Sequence, residues 1–273
     1  MRHSNAVFPP HASTTMTSES VVPTPLPPAS HPSPSVLEAA SMKAWPAYEE
    51  SPMGPLMLRY AGGFTKRANS AVLVRQSKVT LTQISAVEAW YGAHGQQPVF
   101  RLTEHQNSNL DTTLAKRGYQ LADPSLVMAN DLSRIPENNH ANDVRIIQGE
   151  EWLEHERILS NRHHGDQQMM KYILACNAPS NEYVVLEHEG LVVACGLGVR
   201  QKDLYAIFCI RTGEAYRRQG FGTGLICAML QRARQSGASC AWLQVLESNI
   251  PAISLYRSLH FTSRYRYWYR MHP

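Results

Sequence analysis

The 273-residue chain contains no apolar run of the length that crosses a bilayer, about 20 residues. It also has no compact apolar stretch ahead of a small-residue cleavage site near its start. Neither a membrane span nor a secretory signal is therefore expected. Cysteine is scarce: Cys176, Cys195, Cys209, Cys227 and Cys240 are odd in number, widely spaced and without a CxxC pair. That pattern argues against a zinc site or a dithiol redox centre and for reduced, buried thiols in a cytoplasmic protein. No metal is expected. Charge of one sign is not concentrated either, and the formal charge of +4 is mild and dispersed. No nucleic-acid or membrane partner is therefore expected.

What is present is an ordinary globular balance, 43% hydrophobic and 18% charged, over a length that favours about two domains. Residues 1–41 are the exception. Pro9, Pro10, Pro23, Pro25, Pro27, Pro28, Pro32 and Pro34 stand there among Ser, Thr and His, a composition that predicts a disordered tail. Met16 and Met42 are alternative translation starts. A first folded unit is expected over 42–131. It has a strand-like run at 56–60, helical spacing at Ile84, Val87, Trp90 and Tyr91, a buried strand near 99–102, and a short helix ending at Gly118. Residues 132–142 have linker composition. A second unit over 143–273 opens with a strand near 144–147 and helices through Trp152 and around 169–174. Strands follow at 183–187, 191–199 and 204–212, the first two joined by the turn His188-Glu189-Gly190.

The strand at 204–212 runs into Arg217-Arg218-Gln219-Gly220-Phe221-Gly222, after which Phe221, Leu225, Met229 and Ala233 mark one buried helix face. At such a junction the first backbone NH groups lack intrahelical partners and the helix dipole favours negative charge, so the turn is a natural phosphate cradle. Gly220 and Gly222 keep side chains away from those NH groups, and Arg217 and Arg218 add positive charge. Two glycines can equally make a plain tight turn. Downstream, 239–245 reads as a buried strand, and Asn249 with Pro251 reads as a helix start. That puts Asn249 at the C-terminal end of a strand, where ligands enter open α/β sheets.

Arg217 to Gly222 matches in full the fingerprint of the GNAT superfamily of N-acetyltransferases: Gln or Arg, two residues, Gly, any residue, then Gly or Ala. Leu243 to Arg257 resembles the strand, asparagine, helix and tyrosine block of the same family. The resemblance covers residues from about 143 to the end. It implies an α/β (α+β) fold with a mixed, splayed central sheet flanked by helices. Acetyl-CoA would serve as acyl-donor co-substrate and a primary amine of a small molecule or protein as acceptor. The implied cofactor-binding set is Ile210, Thr212, Arg217, Arg218, Gln219, Gly220, Phe221, Gly222, Thr223 and Asn249. The pantetheine arm would lie where the sheet splays, between the strands ending at Thr212 and near Leu246, paired with backbone near Ile210 and Thr212.

The resemblance further implies direct attack of the amine on the thioester in a ternary complex, with Tyr256 as catalytic residue, protonating or hydrogen-bonding the departing sulfur. Tyr256 can also be read as packing one face of a short helix. Relatives often place a carboxylate on the strand before the phosphate loop, where Ile207, Phe208 and Cys209 offer none. Glu247, Glu187, His163 and His164 remain as base candidates, each also readable as a solvated surface group, and no base is assigned. Cys209 as an acyl-enzyme nucleophile ranks below direct transfer, because nothing in the sequence lowers its pKa. His260 stands where the family usually has glycine, and histidine tolerates positive φ better than most.

In the first unit, Val99 to Thr103 followed by Leu114 to Tyr119 echoes Leu243 to Val245 followed by Leu255 to Phe261. A related fold without the phosphate fingerprint is therefore expected there. Residues 58–70 resemble a block from the first halves of bacterial tandem acetyltransferases and are expected to frame the amine pocket or the interface, or else to form a polar hairpin. Arg264-Tyr265-Arg266-Tyr267-Trp268-Tyr269-Arg270 alternates in a way that predicts a strand with aromatics on one face, placed as a closing edge or hairpin strand. Two rival functions follow: a non-catalytic CoA-binding regulator, from the missing carboxylate, and a nucleic-acid-binding module, from the Arg-aromatic run. Oligomeric state stays open.

Overall fold

The computed structural model describes residues 32–106, 109–138, 140, 143–160 and 167–272. The first half supplies α1 (Pro34–Ala44), β1 (Glu49–Met53), β2 (Leu56–Tyr60), β3 (Ala71–Leu73), α2 (Leu81–Ala93), β4 (Val99–Thr103), α3 (Leu110–Lys116) and β5 (Gln120–Asn130). The second half supplies β6 (Val144–Ile146), α4 (Gly149–Ser160), α5 (Gln167–Cys176), β7 (Asn181–His188), β8 (Leu191–Gln201) and β9 (Leu204–Thr212). It continues with α6 (Phe221–Gln235), β10 (Cys240–Leu246), α7 (Ile250–Ser258) and β11 (Thr262–Met271). Local chemistry sets many of these boundaries. Thr80 and Gln83 form a reciprocal capping box ahead of α2. Glu189 and Gly190, at φ 52° and 78°, supply the positive φ pair that a tight β7–β8 hairpin needs.

The two halves repeat one pattern. β3, α2, β4, α3 and β5 correspond in order to β9, α6, β10, α7 and β11, and the β3–β4 and β9–β10 pairs are both parallel across a helical crossover. Gly118 after α3 and His260 after α7 take the same left-handed conformation, φ 88° and 64°, as their matched positions require. The halves then exchange strands. β11 lies between β4 and β5, while β5 lies between β10 and β11, within a single 11-stranded sheet ordered β1-β2-β3-β4-β11-β5-β10-β9-β8-β7-β6.

This exchange corrects the placement of β11. The alternation is as expected, with Tyr265, Tyr267 and Tyr269 buried, but the strand is internal, paired with β4 on one side and β5 on the other. A long strand with one apolar face is protected best when both edges are covered.

The tail also needs correction. Residues 1–31 of it lie outside the described residues, but 34–41 belong to α1, capped by Ser33 with Pro34 in the first turn. Leu37 and Ala40 are core residues, and Glu38 is buried. A chain beginning at Met42 would lack all three. Burial on one side of α1 overrides the proline-rich composition around it.

Among the described residues, apolar side chains gather in three clusters. One joins α1, α4 and α5 to one sheet face through Trp45, Trp152 and Trp242. A second packs α6 and α7 through Leu225, Met229, Ile253 and Phe261. The third seats α2 and α3 on β2 and β4. Among the described residues no helix is long and apolar enough to cross a membrane.

Candidate active site

The β9–β10 ladder stops early. Parallel pairing runs from Cys240 opposite Leu204 to Leu243 opposite Ile207. Beyond that point β10 stays with β5, Leu246 opposite Ser125, while β9 stays with β8, Thr212 opposite Ala194. The strands therefore splay from Phe208 and Gln244 onward. A bulge in β9 helps to open the wedge: three steps from Phe208 to Arg211 face two steps from Leu197 to Cys195, and Cys209 takes φ 52°. The Gly213 NH donates to the Val193 carbonyl at 2.9 Å. Strand alternation then turns the backbone groups of Thr212 and Ile210 the other way, into the gap.

Past the wedge, Gly220 sits at φ 88° and caps α6. Gly224 is the first residue whose NH finds a helical partner, the Gly220 carbonyl at 2.9 Å. The NH groups of Phe221, Gly222 and Thr223 precede it and have no i−4 partner, so they form a compact donor cluster at the positive end of the helix. A Cβ on Gly222 would meet the Thr212 hydroxyl at 3.2 Å and Leu255 at 3.8 Å, which joins this turn to the wedge. The Phe221 ring is buried against His140 and His188. The Gln219 amide is tied to the Ala215 carbonyl at 2.9 Å and Arg217 Nε to the Thr212 carbonyl at 3.4 Å, while Arg218, at φ 64°, is exposed.

A cavity of about 530 Å³ occupies the wedge and is lined by Ile207 to Arg211, Gln244 to Leu246, Asn249, Leu255 and Tyr256. Its remaining wall comes from the first half: Trp45, Thr65, Lys66, Arg67, Asp123 and Ser125, with Tyr267 and Tyr269 of β11. The wall is rigidly built. The buried Arg59 guanidinium donates to the Arg67 carbonyl at 2.7 Å, to the carbonyls of Met42 and Trp45, and to Glu50. The Asn69 side chain accepts from the Ala61 and Gly63 NH groups and donates to the Phe64 and Thr65 carbonyls. The Trp45 indole donates to the Thr65 hydroxyl at 3.1 Å.

Of the residues singled out in the sequence, Ile210, Asn249 and Tyr256 line the cavity itself. Thr212 and Gly222 adjoin it through Leu255, while Arg217, Arg218, Gln219, Gly220, Phe221 and Thr223 are not in its lining. Asn249 also caps α7, accepting from the Ala252 NH at 3.2 Å. Burial pushes the Tyr256 phenol up to about 12, with the positive charge of Arg211 opposing, so it holds its proton at neutral pH. Burial likewise raises Tyr269. The carboxylates proposed as bases are engaged elsewhere, Glu247 with Arg266 at 2.5 Å and Glu187 with Arg145, and neither lines the cavity. His163 and His164 lie outside the described residues. The carboxylate that does line it is Asp123, paired with Lys66 at 2.7 Å. Asp123 takes φ 47° in a bulge of β5. The Asp123-Pro124 dipeptide is the one local signal that could have marked it.

A family model described as "Probable histone acetyltransferase Rv0428c C-terminal" matches residues 35–270, which takes in both halves and nearly the whole sheet. The chain belongs to this acetyltransferase family, within the GNAT superfamily. It is accordingly an acyltransferase, with N-acetyltransferase activity of the GNAT type. "Uncharacterized N-acetyltransferase YobR" of Bacillus subtilis is 26% identical over 86% of this chain and 97% of its own length. The "[Ribosomal protein bS18]-alanine N-acetyltransferase" of Escherichia coli K12 is 33% identical over 76 residues, 28% of this chain and 51% of that protein. In fold, the chain is similar to a GCN5-related N-acetyltransferase from Kribbella flavida, with a TM-score of 0.69 at 17% identity over 88% of this chain and 95% of that one.

Proposed function

We propose that this protein transfers the acetyl group of acetyl-CoA to a primary amine by direct attack in a ternary complex. The observation that carries the reading is the continuity of two features: the donor cluster at 221–223 and the β9–β10 wedge, joined at Thr212 and Leu255. The donors present fit such a group. Backbone NH groups with a helix dipole behind them suit a pyrophosphate, and the wedge offers strand backbone to an extended amide-bearing arm. Arg217, Arg218, Gln219, Gly220, Phe221, Gly222 and Thr223 would hold the phosphates, with Ile210, Thr212 and Asn249 along the arm. When bound, the thioester supplies the activated acyl group.

The chain's own residues account for the rest. An amine of ordinary basicity is protonated at neutral pH and must lose a proton before attack. Asp123 is the lining carboxylate placed to take that proton through water. Tyr256, kept neutral by burial, can donate to the leaving sulfur. The amine acceptor is also supported by the E. coli relative, whose name specifies the alanine of a ribosomal protein. A cytoplasmic address fits the same reading.

Titration of acetyl-CoA into the full chain by calorimetry, followed by an amine screen with free-thiol detection, tests the proposal. Binding with turnover supports it. Binding without turnover of any amine favours a non-catalytic CoA-binding regulator, and no binding ends the reading.

A further inference from the structure

We propose that the acceptor amine carries a carboxylate close to its nitrogen and that the Arg67 guanidinium receives it. The proposal rests on the acetyl-transfer reading above. It begins with the charges that line the cavity: Lys66, Arg67 and Arg211 against Asp123. Lys66 is paired with Asp123 at 2.7 Å, and Arg211 with Glu156 at 3.4 Å. Arg67 is left over. Its Nε donates to the Gln244 amide oxygen at 2.6 Å, and its guanidinium carbon lies 5.3 Å from the Trp45 ring and 5.1 Å from the Phe208 ring. Among the described residues no carboxylate pairs with it.

The group is also held in place. Gln244 cannot turn away, because its amide nitrogen donates to the Ser41 hydroxyl at 2.8 Å. The Arg67 backbone is fixed by the buried Arg59. A guanidinium seated on aromatic faces, with one nitrogen anchored by a neutral amide, keeps donors for a planar anion and loses little freedom on binding it. Phe208 and Gln244 are the residues at which the two strands part, so the anion would sit at the apex of the wedge, one residue from the Cys209 bulge. An acidic amine would neutralise the surplus cation there. A polycationic amine would add to it.

Matched acceptors test this with the full chain and acetyl-CoA: free L-amino acids, their amides and the corresponding decarboxylated amines. Each is assayed by thiol release with wild type, Arg67→Gln and Arg67→Lys. Wild type should prefer the acid over the amide by about 10- to 100-fold in kcat/KM, as a charge-assisted contact implies. Arg67→Gln should collapse that ratio towards one by raising KM for the acids, and Arg67→Lys should keep part of it. Equal or better turnover of amides, diamines or a peptide N-terminus by wild type would overturn the proposal, as would a ratio unchanged in Arg67→Gln. Calorimetry with acetyl-CoA on each variant separates the two levels. If wild type fails to bind the cofactor, the acetyl-transfer reading falls and takes this one with it. If the cofactor binds and only non-acidic amines react, the Arg67 assignment alone falls.

Discussion

Glu38, on the helix ahead of the first strand, accepts hydrogen bonds from Arg101 of β4, 2.6 Å from Nη2 and 3.2 Å from Nε. The same carboxylate takes a third from the Tyr265 hydroxyl of β11 at 2.5 Å, and Arg101 lies 3.7 Å from the centre of the Tyr267 ring. One buried carboxylate thus ties α1 to strands from both halves. Removing it leaves a buried guanidinium uncompensated, so Glu38→Ala should cost about 3–5 kcal/mol, with Glu38→Gln losing less. Urea unfolding measures both. A loss in Glu38→Ala no larger than that of an ordinary surface change would show that α1 is not part of the cooperative unit.

Gly220 caps α6 in the left-handed region with room for a side chain, since the nearest atom to an added Cβ is His140 Nε2 at 3.7 Å. Asn and Asp both tolerate that conformation at modest cost. Gly220→Asp should therefore fold and lose acetyl-CoA binding, because its carboxylate competes for the NH donors proposed to hold the phosphates. Gly220→Asn should lose much less. Equal loss in both, read by calorimetry, would trace the effect to strain rather than to charge.

The glycine turn ahead of α6 was legible because it is built from residues adjacent in sequence: two glycines, a positive φ and a helix start. The wedge was legible by resemblance, and the register explains it physically. Other features depended on partners far along the chain. Alternation in β11 revealed its buried face, but its neighbours β4 and β5 come from the other half, and nothing in 262–271 announces them. α1 was hidden by the prolines that run up to its first residue, although Ser33-Pro34 is itself a helix-opening pair. Arg67 belongs to the 58–70 block expected at the amine pocket or the interface, and it does line the cavity, but its contact with Gln244 spans 177 positions and followed only from the fold. Asp123 was missed for the same reason.

Buried ionisable groups set the alkaline limit of stability. Burial raises Cys240 to about 12 from 9.0, and Tyr256 to about 12 from 10.0. Raised acids keep their protons in the folded state at pH values where the unfolded chain has lost them. Their contribution is complete below the unfolded values and is lost as pH rises from about 9 towards 12. The urea midpoint should hold steady from about pH 7 to 8 and fall above about pH 9. In Cys240→Ala the fall should still begin near pH 9, because burial also raises Cys227, but should be shallower. An identical profile in that variant would show that Cys240 contributes nothing.

Tyr256 offers the sharpest test of chemistry, because its removal should affect the rate and not the cofactor. Tyr256→Phe keeps the ring packed against Phe261, 5.9 Å away between centres, and deletes only the hydroxyl. A general acid of this kind contributes about 100- to 10,000-fold. The variant should therefore lose kcat on that scale while binding acetyl-CoA as the natural chain does. In the natural chain the rate should rise with pH as the acceptor amine deprotonates. It should show no falling limb from Tyr256 below about pH 10, since the phenol sits near 12 and an acid is lost only above its own pKa. A kcat close to the natural value in Tyr256→Phe would remove the residue from catalysis. A falling limb near neutral pH that disappears in the variant would keep it there but overturn the raised pKa.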